Sequence, residues 1–166
     1  MPLVLALAAA ATIQPRIIDR RDPIDDVRSA LVLLERGKTA LAVGCLNVAD
    51  RSTITVFAKF ERIVGRQVRR VLAGGTPVQY RFDQQPHHTE SWSSQRYIVR
   101  NSGSFAMRFL LAMKGSQQVY MRAQKADRDI LQISFTYSDP TRMIDDVLGR
   151  CGFNPDGSPI RQQGLR

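Results

Sequence analysis

Two cysteines, Cys45 and Cys151, are the residues with the clearest chemical consequence in this chain of 166 residues. An even cysteine count allows one disulfide, and a bridge between these two would close a loop of roughly 105 residues. In the chain-entropy model such a bridge removes about 4–5 kcal/mol of conformational freedom from the unfolded state. Two buried free thiols in a cytosolic protein are the alternative. A metal site is disfavoured, because two distant cysteines and the adjacent His87 and His88 lack zinc-site spacing.

His87 and His88 lie close in sequence to Asp83 and Glu90, and these residue types could act in acid–base chemistry. A general base must lie within hydrogen-bond reach of the reacting proton, which neighbours in a loop do not establish. Neither a nucleophile elbow nor a glycine-rich phosphate loop nor a zinc motif accompanies them. The sequence therefore predicts a solvated loop here, with no catalytic residue, no metal and no cofactor.

Arg81 and Asp83 are two positions apart on a predicted strand, so we expect them to share one face of a sheet. The interpretation we favour is a structural polar pair, which contributes about 0–1 kcal/mol if it is exposed. A functional alternative is that the pair anchors the following loop or a partner.

The net charge of +9 includes one local cluster of arginines. Its members are Arg62, Arg66, Arg69 and Arg70. We take this cluster, together with Trp92, as a candidate contact surface for an acidic protein surface or an anionic envelope polymer. Trp92 and Tyr97 could instead pack in the core, as large aromatic side chains usually do. Nucleic acid is a disfavoured partner, because only Tyr80 and Phe82 lie near the cluster to stack on bases.

The first residues contain the longest apolar run of the chain, Leu3 to Ala11. The run is far shorter than the roughly 20 residues of a membrane helix, but it fits the apolar core of a secretory signal. No Lys or Arg precedes it, so an ordinary buried strand or helix is the alternative. We expect an exported protein, periplasmic or secreted, from which residues 1–12 are removed.

Hydrophobic patterning beyond this run predicts mostly strands. Residues 13–26 are polar and contain Pro15 and Pro23, and Asp22, Asp25 and Asp26 disfavour a strand, so this segment predicts a linker or entry loop. Short apolar or alternating segments separated by turns predict strands. The predicted strands cover 30–35, 39–46, 53–60, 78–83, 90–93, 96–99, 117–123 and 129–137. Residues 63–72 fit either a strand or a loop, and 84–90 are predicted to be a loop.

Two segments predict helices. Ser102 or Ser104 could cap a helix that begins near Phe105 and ends at Gly115. A second helix would begin with Asp139 as N-cap and end at Gly152. Its predicted buried positions are Met143, Ile144, Val147, Leu148 and Cys151. The element order predicts one domain over 24–153 of mainly β or α+β class, an antiparallel sheet or β-sandwich with two packed helices, followed by a polar tail over 154–166.

A series of landmarks in this order resembles the VasI-type family of type VI secretion-associated accessory proteins. The landmarks are a cysteine early in a strand, the segment Val78-Gln79-Tyr80-Arg81-Phe82-Asp83 with Pro86, Trp92, Phe105 and Phe109 on a helix, Arg122, Phe135, and the closing Cys151-Gly152-Phe153. The resemblance covers about residues 24–153. Phe153 stands where the family usually has tryptophan.

The resemblance implies a β-rich domain outside the cytosol, with no cofactor and no established enzyme activity. It also implies that Cys45 pairs with Cys151. From it we expect an exported, non-enzymatic binding or assembly accessory protein with a protein partner in the cell envelope, without a membrane span. The alternatives are a hydrolase that acts on envelope polymers and a basic cytosolic domain that binds nucleic acid.

Overall fold

The computed structural model describes residues 12–21, 28–48, 51–60, 75–95, 98–124 and 130–160. Within these ranges nine strands and two helices follow one another along the chain. The strands are β1 (Arg16–Arg21), β2 (Arg28–Arg36), β3 (Thr39–Val48), β4 (Arg51–Lys59), β5 (Thr76–Phe82), β6 (His88–Gln95), β7 (Ile98–Ser102), β8 (Gln118–Gln124) and β9 (Ile130–Thr136). The helices are α1 (Ser104–Met113) and α2 (Thr141–Arg150).

The strands of the described ranges form one antiparallel sheet in the order β1-β2-β3-β4-β7-β6-β5-β8-β9. The first four strands are a simple meander, and β5, β6 and β7 form a second meander that is inserted in reverse order between β4 and β8. This architecture confirms the predicted mainly β or α+β class, with an antiparallel sheet, two helices and one disulfide.

Alternation of side chains along each strand separates a buried face from an outward face. On β4, which corresponds to the predicted strand over 53–60, Ile54, Val56 and Ala58 are buried, while Thr53 and Lys59 are exposed. The same period-two pattern runs through the other long strands. Their buried residues are Ala30, Val32 and Leu34, then Leu41, Val43 and Cys45, then Val78, Tyr80 and Phe82, then Val119, Met121 and Ala123, and finally Ile133 and Phe135. The core therefore lies on one side of the sheet.

The sheet curls so that its two edges meet at one point. Ile13, just before β1, forms a parallel bridge with Tyr137, just after β9. The Ile13 N–H donates to the Thr136 carbonyl at 2.7 Å, and the Ser138 N–H donates to the Ile13 carbonyl at 3.3 Å. The Arg36 guanidinium at the end of β2 also donates to the Ser134 carbonyl on β9 at 2.8 Å. The buried face is therefore the inside of the curl.

Both helices cover this inner face. Phe105, Phe109 and Met113 recur at every fourth position of α1 and are buried, which places them on one side of the helix. The α1 helix packs on β4 and β7, and α2, on which Ile144 and Leu148 are buried, packs on β2 and β3. Neither helix reaches the length and apolar character needed to cross a membrane, and no other helix is found in the described ranges.

The helix starts differ in detail from those that the sequence predicts. Pro140, not Asp139, occupies the N-cap of α2. Asp139 nevertheless stabilises this end, because one carboxylate oxygen accepts the Thr141 N–H at 2.9 Å and the Thr141 hydroxyl at 2.5 Å. These hydrogen bonds lower the pKa of the Asp139 carboxyl. Before α1, Gly103 occupies the N-cap without a side-chain hydrogen bond, so neither Ser102 nor Ser104 caps this helix.

Three segments differ from their predicted structure. Residues 16–21 form β1 rather than a linker, because they pair with β2 in register from Arg16↔Leu33 onward. The loop predicted over 84–90 ends earlier, since β6 begins at His88. In the predicted tail, the Asn154 N–H donates to the Ser158 carbonyl and the Ile160 N–H donates to the Gly152 carbonyl, so 154–160 form an ordered turn.

Candidate ligand-binding site

The disulfide between Cys45 and Cys151 ties β3 to the residue that follows α2. Their Cα atoms lie 5.8 Å apart, although the two residues are 106 positions apart in sequence. Both side chains are buried. This bridge confirms the predicted pairing, and the alternatives of free thiols or a metal site at these cysteines are wrong. By closing such a long loop it restricts the unfolded chain and stabilises the sheet that carries the site.

A groove lies on the outward face of β4, β7 and β6. Residues directly opposite each other on antiparallel strands share a face. Phe57 on β4 is opposite Arg100 on β7, and Arg100 is opposite Ser93 on β6. Thr55 and Ser102 form the neighbouring pair. Of the residues that alternate with this row, Val56 and Val99 are buried in the core, whereas Asn101 is half-buried; within the row, Thr55 is only 6% exposed and Arg100 and Ser93 are exposed.

Two adjoining cavities make up the groove. Their volumes are about 400 Å³ and about 420 Å³. The first is lined by Leu46, Thr53, Thr55, Ser93, Arg100, Asn101 and Ser102. The second is lined by Phe57, Ser93, Ser94, Gln95, Ile98 and Arg100. Because Ser93 and Arg100 line both cavities, the two form one continuous groove with these residues at its middle.

Arg100 dominates the electrostatics of this groove. It is the only charged residue among the described residues that line the two cavities. Its Nε lies 3.4 Å from the Ser93 Oγ, and the Ser93 hydroxyl donates to the Arg100 carbonyl at 3.1 Å. No carboxylate of the described residues forms a salt bridge with it. The groove therefore presents an uncompensated guanidinium among hydroxyl and amide side chains, which favours an anionic ligand.

Comparison with known proteins identifies no relative of this chain. The chain matches no protein-family model, no curated protein and no solved structure. The description of the site therefore depends on its own geometry.

Arg81 and Asp83, the predicted polar pair, have separate partners. β5 ends at Phe82, and Asp83 adopts a left-handed conformation with φ of 46°. One Asp83 carboxylate oxygen accepts the N–H groups of Gln117 and Gln118 at 2.9 and 2.8 Å. The Arg81 guanidinium lies over the Tyr120 ring, 5.8 Å from its centroid. Asp83 therefore anchors the entry to β8, and the shared strand face predicted for the two residues is wrong.

Trp92 does not contribute to a contact surface. Its side chain is 0% exposed and lies among the rings of Tyr80, Phe105 and Phe109. The prediction that Trp92 belongs to a contact surface is therefore wrong, and the alternative, that it packs in the core, is confirmed. The rest of that surface lies outside the described residues, namely Arg62, Arg66, Arg69 and Arg70, and so does Tyr97.

His88 and Glu90 lie on β6, on the face opposite the groove. The His88 ring stacks on Tyr80 with centroids 5.2 Å apart. Burial raises the pKa of Tyr80, Glu90 raises it further, and Arg108 on α1 opposes the shift. Among the described residues no three His, Cys, Asp or Glu side chains are placed to bind a metal ion. The imidazole and carboxylate are thus kept apart from the Arg100 groove.

The sequence alone did not reveal the groove residues. The predicted strand over 53–60 includes Thr55 and Phe57, but Arg100 lies beyond the end of the predicted strand over 96–99. Sheet order was the missing information, because β7 and β6 are distant from β4 in sequence and adjacent in space. Only the order of the strands in the sheet reveals that the polar residues around Arg100 lie on one face.

Proposed function

We propose that this chain is an exported binding or assembly accessory protein, stabilised by its disulfide, that binds an acidic partner or polymer of the cell envelope through the Arg100 groove. The observation that carries the proposal is the guanidinium at the middle of the groove, with no acidic side chain in the described lining. A guanidinium forms charge-assisted, bidentate hydrogen bonds with carboxylates.

The disulfide supports the export part of this proposal. Such bridges form and persist in oxidising compartments and are rare in the cytosol of most cells. The apolar residues 3–11 and the resemblance to VasI-type accessory proteins point to the same compartment and to a role beside a type VI secretion-like system. Alkylation of thiols in intact cells tests the compartment: Cys45 and Cys151 should take up label only after reduction, and labelling without reductant would contradict export.

The groove lining supports binding rather than catalysis as its role. The His88 imidazole and the Glu90 carboxylate lie on the opposite face of β6, and the lining offers a cation with hydroxyl and amide groups. These groups position an anion, but they supply no general base at neutral pH.

Retention on immobilised anionic polymers tests the groove. The folded protein should be retained on a carboxylate-bearing matrix and released by salt, because exposed ion pairs are screened. Arg100→Ala should weaken retention, and Arg142→Ala, which removes the same charge from an exposed position of α2, should not. Equal losses in the two variants would show that net charge alone causes the binding, and the proposal would then be wrong.

A further inference from the structure

We propose that the Arg100 groove binds a saccharide chain that carries carboxylates, such as an oligouronate. This inference rests on the proposed function and specifies its ligand class. It depends on four properties of the groove: the backbone beneath it, its polar side chains, its charge and its length.

The backbone around Arg100 is already used in the sheet. β4 is paired with β3, and its residues Thr55–Lys59 are also paired with β7, while Ile98–Arg100 of β7 are paired on both sides, with β4 and β6. A peptide that binds by adding a strand needs a free backbone edge. A ligand at Arg100 is therefore recognised by side chains, which favours a ligand that carries many polar groups of its own.

The side chains of the lining suit the mixed surface of a sugar. The hydroxyls of Thr55 and Ser102 can each donate and accept hydrogen bonds, whereas Ser93, whose proton is given to the Arg100 carbonyl, can only accept. The Asn101 side-chain oxygen is used by the Ser102 N–H at 2.8 Å, which leaves its amide as a donor. The half-buried ring of Phe57 lies in the same row as Arg100 and offers an apolar surface for the C–H face of a sugar ring.

The charge of the groove favours an acidic saccharide over a neutral one. Within the described part of the chain, the two terminal nitrogens of Arg100 have no hydrogen-bond partner, since only its Nε contacts Ser93. A guanidinium matches the geometry of a carboxylate, with two parallel hydrogen bonds. We therefore place a ligand carboxylate on Arg100.

The length of the groove fits a chain of sugars. The cavities of about 400 and 420 Å³ extend to either side of the residues they share, Ser93 and Arg100. Each volume falls within the range of roughly 300–1,000 Å³ that is typical of small-molecule sites. A ligand whose carboxylate contacts Arg100 can therefore extend in both directions, as an internal unit of a polymer would.

Titration calorimetry with the full chain, its disulfide intact, tests this assignment. The probes are a short oligogalacturonate, the same oligosaccharide with its carboxyl groups reduced to alcohols, and an oligoglutamate peptide of equal charge. The variants are Arg100→Ala, Arg100→Lys and Thr55→Val, with Arg142→Ala as the matched control. The emission of Trp92, which is buried away from the groove, verifies that each variant is folded.

We expect the oligogalacturonate to bind and the reduced form to bind at least about tenfold more weakly. Arg100→Ala should lower the affinity by about tenfold or more, Arg100→Lys by less, and Arg142→Ala by little. Thr55→Val should lower the affinity for the oligogalacturonate, because the groove loses the threonine hydroxyl. Tighter binding of the oligoglutamate, or equal binding of the reduced sugar, would overturn the saccharide assignment. Oligoglutamate binding that depends on Arg100 would leave the proposed function standing, and no Arg100-dependent binding of any anion would overturn both.

Discussion

Cys45 on β3 is bonded to Cys151 directly after α2, with Cα atoms 5.8 Å apart. The bond fixes α2 against β3. The neighbouring strand, β4, carries one side of the groove. The neighbouring contacts repeat this connection, because α2 packs on β2 and β3. Two residues at a sequence separation of 106 thereby join the first meander to the end of the domain.

Replacement of both cysteines by alanine should lower the free energy of unfolding by roughly 3–5 kcal/mol, because the unfolded chain regains the freedom that the long loop had lost. Urea denaturation followed by fluorescence of Trp92, the only tryptophan of the chain, measures this change. The unsubstituted protein with reductant is the control and should shift in the same direction. A double variant with an unchanged midpoint would contradict the assigned role of the bridge.

Gly44→Ala should strongly destabilise the sheet. A Cβ at this position would lie 2.0 Å from the Ala30 carbonyl oxygen, a backbone atom that cannot move without disturbing β2. We expect a loss of about 3 kcal/mol or more, at the upper end of overpacking effects. Gly149→Ala is the matched control: its Cβ would meet nothing within 4 Å, and in α2 the change should stabilise by about 0.5–1 kcal/mol. Similar thermal midpoints for the two variants would show that β2 and β3 are not so closely apposed.

Asp83→Gly should lower the free energy of unfolding by about 1–3 kcal/mol, since the two N–H groups of Gln117 and Gln118 lose a charged acceptor. Glycine tolerates the left-handed backbone at this position, so the change isolates the carboxylate. Asp83→Asn keeps an oxygen acceptor and a residue type that tolerates this conformation, and should cost less. Chemical denaturation of both variants measures the difference, and an equal effect would argue against the hydrogen bonds as the cause.

Tyr137 should make the protein less stable at high pH. Burial raises the pKa of Tyr137 to about 12, although the hydrogen bond with Ser116 opposes the shift. The folded state thus holds the phenolic proton more tightly than the unfolded state, whose pKa is near 10. The contribution is fully present below pH 10 and is lost between pH 10 and about 12, by roughly 2–3 kcal/mol.

Urea denaturation at about pH 9 and about pH 11 tests this dependence, with Tyr137→Phe as the control. The phenylalanine variant has no phenolic proton and should lose less stability across this interval. Parallel losses in the two proteins would assign the pH dependence to other groups.

Local patterns in the sequence were sufficient for much of the fold. The strand predicted over 53–60 corresponds to β4, and Ile144, Val147 and Leu148 are buried on α2 as their spacing predicts, because side-chain period determines which residues share a face. The order in which the strands pair could not be predicted from these local patterns, because the reversed β5–β6–β7 meander depends on contacts between residues distant in sequence.

The candidate site shows the same limit. Asp83 continues the alternation of 78–83, so nothing local distinguished it from a strand residue, and its left-handed turn is set by the hydrogen bonds to Gln117 and Gln118. Trp92 was placed in a surface because burial depends on α1, which covers it through Phe105 and Phe109. Arg100 gained significance only from its neighbours across the sheet, Phe57 and Ser93.

The bridge between Ile13 and Tyr137 limits how much of the amino-terminal segment proteolysis can remove. A mature protein that begins at Ile13 retains the residue that accepts from Ser138 and donates to Thr136, whereas one that begins at Gln14 loses both hydrogen bonds. An export peptidase that cleaves around residue 12 would therefore cut immediately beside the point where the curled sheet closes. Processing only one residue further along the chain would remove the backbone bridge and leave the side-chain bond of Ser138 to Gln14 at this point.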